Sequence, residues 1–295
     1  MSVSRPAAYR PAPSLWARKS VQRTVGRLVL YPVLVGGAVI LLLPLAWLLS
    51  SSLKPLGLIF VVPPQWIPSP IRWQNYVEVW QAIPMALFAR NTITITFFAV
   101  LGTVASASIV AFGFARLRFR MRDVLFLVLL STMMIPGQVT LIPQYILFRT
   151  LRWLNSFLPL IVPSYFGGGA FNVFLLRQFY MTLPLELDDA ARIDGCSTFQ
   201  IYRRIILPQS KPALGVVAIF GFMGHWNEFF APLIYLNSTE KYTLALGLNF
   251  FRSVEYSAWH LLMAASLMTA LPCIVVYFLA QRYFIQGIVF TGIKG

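Results

Sequence analysis

The chain has 295 residues, 58% of them hydrophobic and only 11% charged, with a formal net charge of +15 and a mean hydropathy of +0.71. Soluble domains run at about 25% charged residues, so this composition excludes an ordinary soluble globule and predicts an all-α membrane protein. Two cysteines and two histidines exclude a disulfide scaffold and a common zinc site. With no G-x-x-x-x-G-K-[ST] run, the chain also lacks the usual loop for cradling ATP phosphates.

Residues 1–27 form a basic, Pro- and Ser-containing arm with little apolar periodicity, to which no chemistry is assigned. Charge-poor stretches, each long enough for the roughly 20 residues of a spanning helix, then predict six spans. These lie near Leu28–Leu49, Asn91–Ala115, Val124–Leu147, Phe157–Leu176, Ala213–Leu236 and Trp259–Ala280. The first is longer than a signal-peptide core and has no convincing cleavage site, so it reads as an uncleaved anchor. Lys and Arg concentrate in the arm, the second connection (Arg116, Arg118, Arg120, Arg122), the fourth connection (Arg177, Arg192, Arg203, Arg204, Lys211) and the tail. The positive-inside rule therefore puts both termini and the fourth connection in the cytoplasm. Topology and anionic headgroups account for the net charge; no basic patch interleaved with aromatics points to nucleic acid. Cys196 falls in the cytoplasmic connection and Cys273 inside the last span, which makes a disulfide between them topologically implausible.

The first outer connection, about 50–90, carries Pro55, Pro63, Pro64, Pro68 and Pro70 together with Trp66, Trp73, Tyr76 and Trp80, the composition of an interfacial aromatic belt. In the second and third spans the small residues Gly102, Ala105, Ala107 and Gly113 suit close helix packing, and Met133–Gln138 contains Pro136 and Gly137, which predict a kink. The fourth span holds Phe166 and then Gly167, Gly168 and Gly169. Three glycines in a helix cost about 1 kcal/mol each relative to Ala, a cost that a backbone break lining a cavity would justify.

Between the fourth and fifth spans lies Pro184–Pro208, PLELDDAARIDGCSTFQIYRRIILP, the one long charge-rich segment between two apolar spans. It reads as two short helices with a hinge. Pro184 suits a first turn, Glu186, Asp188 and Asp189 complement an N-terminus, and Gly195 supplies a left-handed stop. Ser197 and Gln200 have capping-box spacing, and Pro208 is expected to end the second helix. Leu187, Ala190 and Ala191 form one narrow apolar face, and Phe199, Tyr202 and Ile206 the other.

P-x-E-L-x-x-A-A-x-I-D-G followed by I-x-L-P resembles the cytoplasmic EAA loop of the membrane subunits of binding-protein-dependent ABC importers. The match covers Pro184, Glu186, Leu187, Ala190, Ala191, Ile193, Asp194, Gly195, Ile205, Leu207 and Pro208. Asp189 stands where that family usually has Glu, and Cys196 where it usually has a small residue such as Ala. The resemblance implies a six-helix transmembrane domain over 28–285, a coupling loop over 181–210 and a cytoplasmic tail over 286–295. Glu186, Leu187, Asp188, Asp189, Ala190, Ala191, Asp194, Gly195, Phe199 and Tyr202 would dock on a separate ATPase. The implied partners are a second, homologous permease subunit, two ATPase subunits that hold ATP and Mg, and an extracytoplasmic solute-binding protein. The implied location is the cytoplasmic membrane of a bacterium or archaeon, and no cofactor is expected on this chain itself.

The outer connection supports the resemblance through Lys54-Pro55, P-x-W-x-P at Pro64–Pro68, and Asn75-Tyr76. In the fifth span, GHWNEFFAPL carries W-N-x-F-x-x-P-L, similar to the maltose-type carbohydrate branch. Charge at that depth is costly, so Glu228 faces protein or water. One reading has Glu228 pairing with His225 or another helix's donor to fix packing. The other has Trp226, Asn227 and Glu228, with Gly167, Gly168, Gly169 and Gln138, lining a path in which a ring stacks on a sugar face and polar groups bond hydroxyls. His260 reads as an interface residue. The tail, with Gly287, Gly292, Gly295 and Lys294, is either a short floppy end or, by resemblance, an arm reaching toward the ATPase dimer. A carbohydrate is the expected solute and a polyol phosphate or polyamine the alternative; an ATP-independent channel or a membrane enzyme is the more distant one.

Overall fold

A computed structural model describes residues 19–252 and 257–292, and among these the regular structure is helical, with one isolated bridge, Arg252 to Ser257. Helix α1 (Lys19–Ser52) leads into an irregular segment and the short α2 (Gln74–Ala82). Helix α3 (Met85–Arg116) follows, then α4 (Arg122–Ser131), extended by a 3-10 turn over Thr132–Met134, and α5 (Gly137–Thr150). The next pair is α6 (Leu158–Ile161) and α7 (Ala170–Thr182), separated by a 3-10 turn and the glycine run. The charge-rich loop contains α8 (Glu186–Ile193), α9 (Thr198–Ile201), a π-turn over Tyr202–Ile206 and α10 (Leu207–Gln209). Helices α11 (Lys211–Trp226), α12 (Phe230–Tyr235), α13 (Leu244–Gly247) and α14 (Trp259–Gly292) complete the chain.

Four segments are long and apolar enough to cross a membrane: Leu30–Ser52, Met85–Arg116, Leu158–Thr182 and Trp259–Gln281. Counting each of two bent pairs as one span raises the number to six. Arg122–Met134 meets Gly137–Thr150 at 98°, and Thr198–Gln209 meets Lys211–Trp226 at 78°. Both bends have local causes. At the first, Ile135 is extended and Pro136 cannot donate to the ladder, so the expected kink is a sharp turn. At the second, Ser210 leaves helical geometry and Pro212 opens the next helix.

Helix α3 is the organising element. Half of its spanning window is buried inside the chain, against 6% of the window in Leu30–Ser52, so that segment of α1 turns most of its side chains outward while α3 is enclosed. Buried Ala99, Ala107 and Ala111 let α7 and α11 approach it closely, as small residues do in membrane helix packing. One apolar cluster joins Ala107, Ala111 and Phe112 to Val173, Leu176 and Tyr180 of α7, to Ile201, Tyr202 and Ile206 of the loop, and to Ala213 and Val217 of α11. A second, around Val79, Phe88, Trp226, Ala264 and Ala265, closes the opposite end, and a third joins Ile95, Phe148, Leu160 and Tyr235.

Several expected boundaries move. The first helix begins at Lys19, inside the expected arm, and residues 1–18 lie outside the described residues. The expected fifth span, Ala213–Leu236, is interrupted after Trp226, because Asn227 leaves helical geometry and turns its own amide back onto the Met223 carbonyl at 2.8 Å. The last helix continues to Gly292, so residues 286–292, expected to leave the helix, extend it; 293–295 lie outside the described residues. Pro208 does not end the second loop helix, which runs on to Gln209. The wider π-turn just before it relieves the clash that a proline ring makes with the carbonyl four residues earlier.

Candidate functional site

The loop is built by local backbone chemistry. Helix α8 starts at Glu186, with Pro184 just outside it, and the N–H groups of Asp188 and Asp189 bond the Leu185 carbonyl at 2.9 and 3.1 Å. It stops at Gly195, whose φ of +79° is the left-handed region open to glycine. The Gly195 N–H bonds the Arg192 carbonyl at 3.0 Å and the Cys196 N–H bonds the Ala191 carbonyl at 2.9 Å, the two bonds of a Schellman stop. Ser197 then opens α9 with the full capping box: its N–H donates to Gln200 Oε1 at 2.7 Å, and its hydroxyl oxygen accepts from the Gln200 N–H at 3.4 Å.

The two helices sort their side chains into an inner and an outer set. Asp188, Ala191, Tyr202 and Ile206 are buried against the chain's own helices. Glu186, Leu187, Asp189, Ala190, Asp194, Gly195 and Phe199 face outward, together with Leu185 and Ile193. Exposure of 87% at Ile193 and 64% at Phe199 leaves an apolar ridge that nothing among the described residues covers. Of the two adjacent aspartates, Asp189 pairs with Arg192 at 3.0 Å at the surface, whereas Asp188 points inward at Arg116. Of the residues expected to dock, Leu187 and Ala190 lie on the outer face, whereas Asp188, Ala191 and Tyr202 are turned inward and are not available at the surface.

Sequence reasoning missed the inner partners. Arg116, in the last turn of α3, donates from Nη2 to the Leu183 carbonyl at 2.9 Å and stands 3.7 Å from Asp188, with both side chains almost wholly buried. Ser108 Oγ lies 2.7 Å from the Tyr180 hydroxyl and 2.8 Å from that of Tyr202. Arg116 gave no separate signal in the sequence, because a basic residue at a helix C-terminus, in a connection expected to be cytoplasmic, is already accounted for by the helix dipole and the positive-inside rule.

The expected path residues do not form one constellation. Gly167, Gly168 and Gly169 all have positive φ, so the run breaks the helix as expected. Gly168 is packed, however: a Cβ there would stand 2.4 Å from the Thr103 carbonyl oxygen and 2.6 Å from Ala107 Cβ. Gly167 is open on its side-chain face, and Gln138 is exposed beside the Pro136 bend. Trp226 is not a free stacking platform. Its indole N–H donates to the Thr269 carbonyl at 3.0 Å, its ring stacks on Phe222 at 5.2 Å, and the side chain is buried. Asn227 is exposed and reaches Cys273 Sγ at 3.8 Å. Glu228 caps the next helix, its Oε1 accepting the Ala231 N–H at 3.1 Å. Among the path residues Asn227, Glu228 and Gly167 keep polar or backbone surface available, and Trp226 and Gly168 serve packing.

On the other face of the molecule, the Lys54-Pro55 and Asn75-Tyr76 pairs fold into one buried knot. Asn75 Nδ2 donates to the Ser52 and Lys54 carbonyls at 2.8 and 2.9 Å, and the Tyr76 and Ser52 hydroxyls meet at 2.7 Å. The Lys54 ammonium donates to the Gln65 carbonyl and lies 4.1 Å from the centre of the Trp47 ring; burial pushes its pKa below the ordinary lysine value. This knot leaves Trp66, Trp73 and Trp80 exposed, as an interfacial belt requires. His260, buried at the start of α14, stands 4.0 Å from Glu78, which bonds Arg72 at 2.6 Å. Among the described residues no group of His, Cys, Asp and Glu could hold a metal ion.

A family model described as "binding-protein-dependent transport system inner membrane component" matches residues 107–289, which takes in the loop and most of the packed core. The chain is 32% identical over 285 residues to the arabinooligosaccharides transport system permease protein AraQ of Bacillus subtilis, covering 94% of this chain and 99% of that one. It is 31% identical over 255 residues to the diacetylchitobiose uptake system permease protein DasC of Streptomyces coelicolor, covering 86% and 92%. A solved bacterial ABC transporter involved in the import of the acidic polysaccharide alginate has a chain that superposes with a TM-score of 0.76 at 24% identity, covering 92% of this chain and 99% of that one. With more than half of its length matched, and relatives above 30% identity that align almost end to end, this chain belongs to the inner membrane components of binding-protein-dependent transport systems, the permease subunits of ABC importers rather than enzymes.

Proposed function

We propose that this chain carries a carbohydrate across the cytoplasmic membrane as one of two homologous permease subunits, with its termini and the Pro184–Pro208 loop in the cytoplasm. The observation that carries the reading is the loop's two-sided construction. Leu185, Leu187, Ile193 and Phe199 form an uncovered apolar ridge on helices whose other sides are locked into the membrane domain. In this reading a separate ATPase holds ATP and Mg and receives the ridge, and a loaded solute-binding protein engages the face around the Lys54 knot. Both bias one two-state equilibrium between inward- and outward-open packings, with the Pro136 bend and the glycine break as its irregular points.

A neutral solute fits the placement of the basic residues. Within the spans, Arg116 and Arg177 are committed, the first to Leu183 and Asp188 and the second to the Phe114 carbonyl and the Phe126 ring, while Arg90, Arg122 and Arg149 stand near helix ends. Two relatives named for oligosaccharide transport favour a carbohydrate. A polyol phosphate is the second reading, favoured by 30% identity over 87% of this chain to an sn-glycerol-3-phosphate transport system permease protein of Yersinia pestis.

The test is purification from native membranes through an N-terminal tag, with mass spectrometry of the eluate and an ATP hydrolysis assay. Recovery of an ATPase and a second permease with ATP turnover is expected. A chain that elutes alone, even after cross-linking in the membrane, contradicts the reading.

A further inference from the structure

The loop is tied to the membrane domain at more places than its two chain ends. Arg116, Phe112 and Ser108 lie on one stripe of α3 at four-residue spacing, and each holds a loop residue. Arg116 faces Asp188, the Phe112 ring lies 5.1 Å from that of Tyr202, and Ser108 bonds the Tyr202 hydroxyl at 2.8 Å. Further along α3, Ala107 and Thr103 stand so close to Gly168 that a Cβ there would meet them at 2.4–2.7 Å, and a Cβ at Gly221 of α11 would come into ordinary contact with Val100 at 3.4 Å. A single helix therefore runs from the loop to the glycine break. The ion pair at its end is also unfinished. It spans 3.7 Å, where a charge-assisted bond is about 2.7–2.9 Å, and neither Arg116 Nε nor Asp188 Oδ1 has a hydrogen-bond partner.

We infer that Arg116 and Asp188 are positioning residues that pass the loop's displacement into α3 and, through Ala107 and Thr103, to the Gly167–Gly169 break. The inference rests on the docking reading above. Covalent connection alone would move α7 and α11, the helices that flank the loop. The buried pair adds α3, which touches both of them, so the three helices move as one body. A packed, buried charge pair suits this role because it holds direction as well as distance, and removing one partner leaves the other charge unmatched inside the protein.

The test uses the full complex, in a Cys196→Ser, Cys273→Ser background with Phe166→Cys as the reporter. Position 166 is 80% exposed and adjoins the break. The rate of maleimide labelling at position 166 is measured with and without ATP and vanadate, and co-purified ATPase is quantified in the same sample. With the pair intact, nucleotide is expected to change the labelling rate at least 5-fold. Asp188→Asn should shrink that change below 2-fold while the ATPase yield stays within 2-fold of the unsubstituted complex. Asp188→Glu should restore the response, since the open pair leaves room for a longer carboxylate to close on the guanidinium. A full response in Asp188→Asn overturns the inference, as does a parallel loss of ATPase from Asp188→Asn, which would make the pair merely structural. If the unsubstituted complex yields no ATPase, the docking reading fails and this inference with it.

Discussion

Replacing Gly168 and Gly167 separately with alanine divides two costs that the glycine run carries together. Both positions have positive φ, +63° and +86°, so an L side chain at either is strained by about 1–2 kcal/mol. At Gly167 nothing lies within 4 Å of the added methyl, and strain is the whole expected loss. At Gly168 the methyl would stand 2.4 Å from the Thr103 carbonyl oxygen and 2.7 Å from the Ala107 amide nitrogen. Backbone cannot rotate aside as a side chain can, so α7 must withdraw from α3. Overpacking of that kind adds about 1–3 kcal/mol, bringing Gly168→Ala to roughly 2–5 kcal/mol. At about 2–4 °C per kcal/mol, the melting temperature of the purified chain in detergent should fall clearly further for Gly168→Ala than for Gly167→Ala. Equal losses, or a larger loss at Gly167, would refute the argument that the break is docked on α3.

Three further outcomes follow from the same geometry. Gly195→Asp forces a β-carbon into the left-handed stop of α8 and should uncouple ATP hydrolysis from a nucleotide-driven change in the membrane domain; normal coupling in reconstituted vesicles would show that the turn does not set the docking geometry. Trp226→Phe removes the indole bond to Thr269 and should lower stability by about 1 kcal/mol, checked by melting, with substrate affinity unchanged because the ring packs rather than stacks on solute. Burial lowers the Lys54 pKa, so the folded chain binds that proton more weakly than the unfolded chain does. Stability relative to Lys54→Met should then rise as pH climbs from the lowered value toward 10.5, followed by melting between pH 7 and 10; a fall over that range would mean that the Trp47 contact outweighs desolvation.

What could be read from the sequence was local. The Schellman stop and the capping box follow from Gly195, Ser197 and Gln200 within a few residues of one another, and the spans follow from their apolar length. The membrane-domain contacts were not legible in the same way. An eight-residue helix with Asp188 beside Asp189 offers two acidic residues of equal standing, and only the position of Arg116, far away in sequence, decides which turns inward. Leu187, Ala190 and Ala191 share one apolar face by periodicity, but the tertiary structure buries Asp188 and Ala191 and leaves Leu187 and Ala190 at the surface. Trp226 and Asn227 look alike as polar-tipped residues at mid-span, and the Thr269 carbonyl on α14 separates them. Pro208 carries the ordinary stop signal, which the preceding π-turn overrides.

The outer ridge of the loop can be tested by direct contact. A photo-crosslinking amino acid placed at Phe199, on the ridge, and separately at Ile201, 2% exposed and packed in the core, reports what each position touches in native membranes. The account predicts an adduct with the ATPase subunit from position 199, and only internal products or none from position 201. An ATPase adduct from position 201 with none from 199 would contradict the orientation of the loop and the docking function built on it.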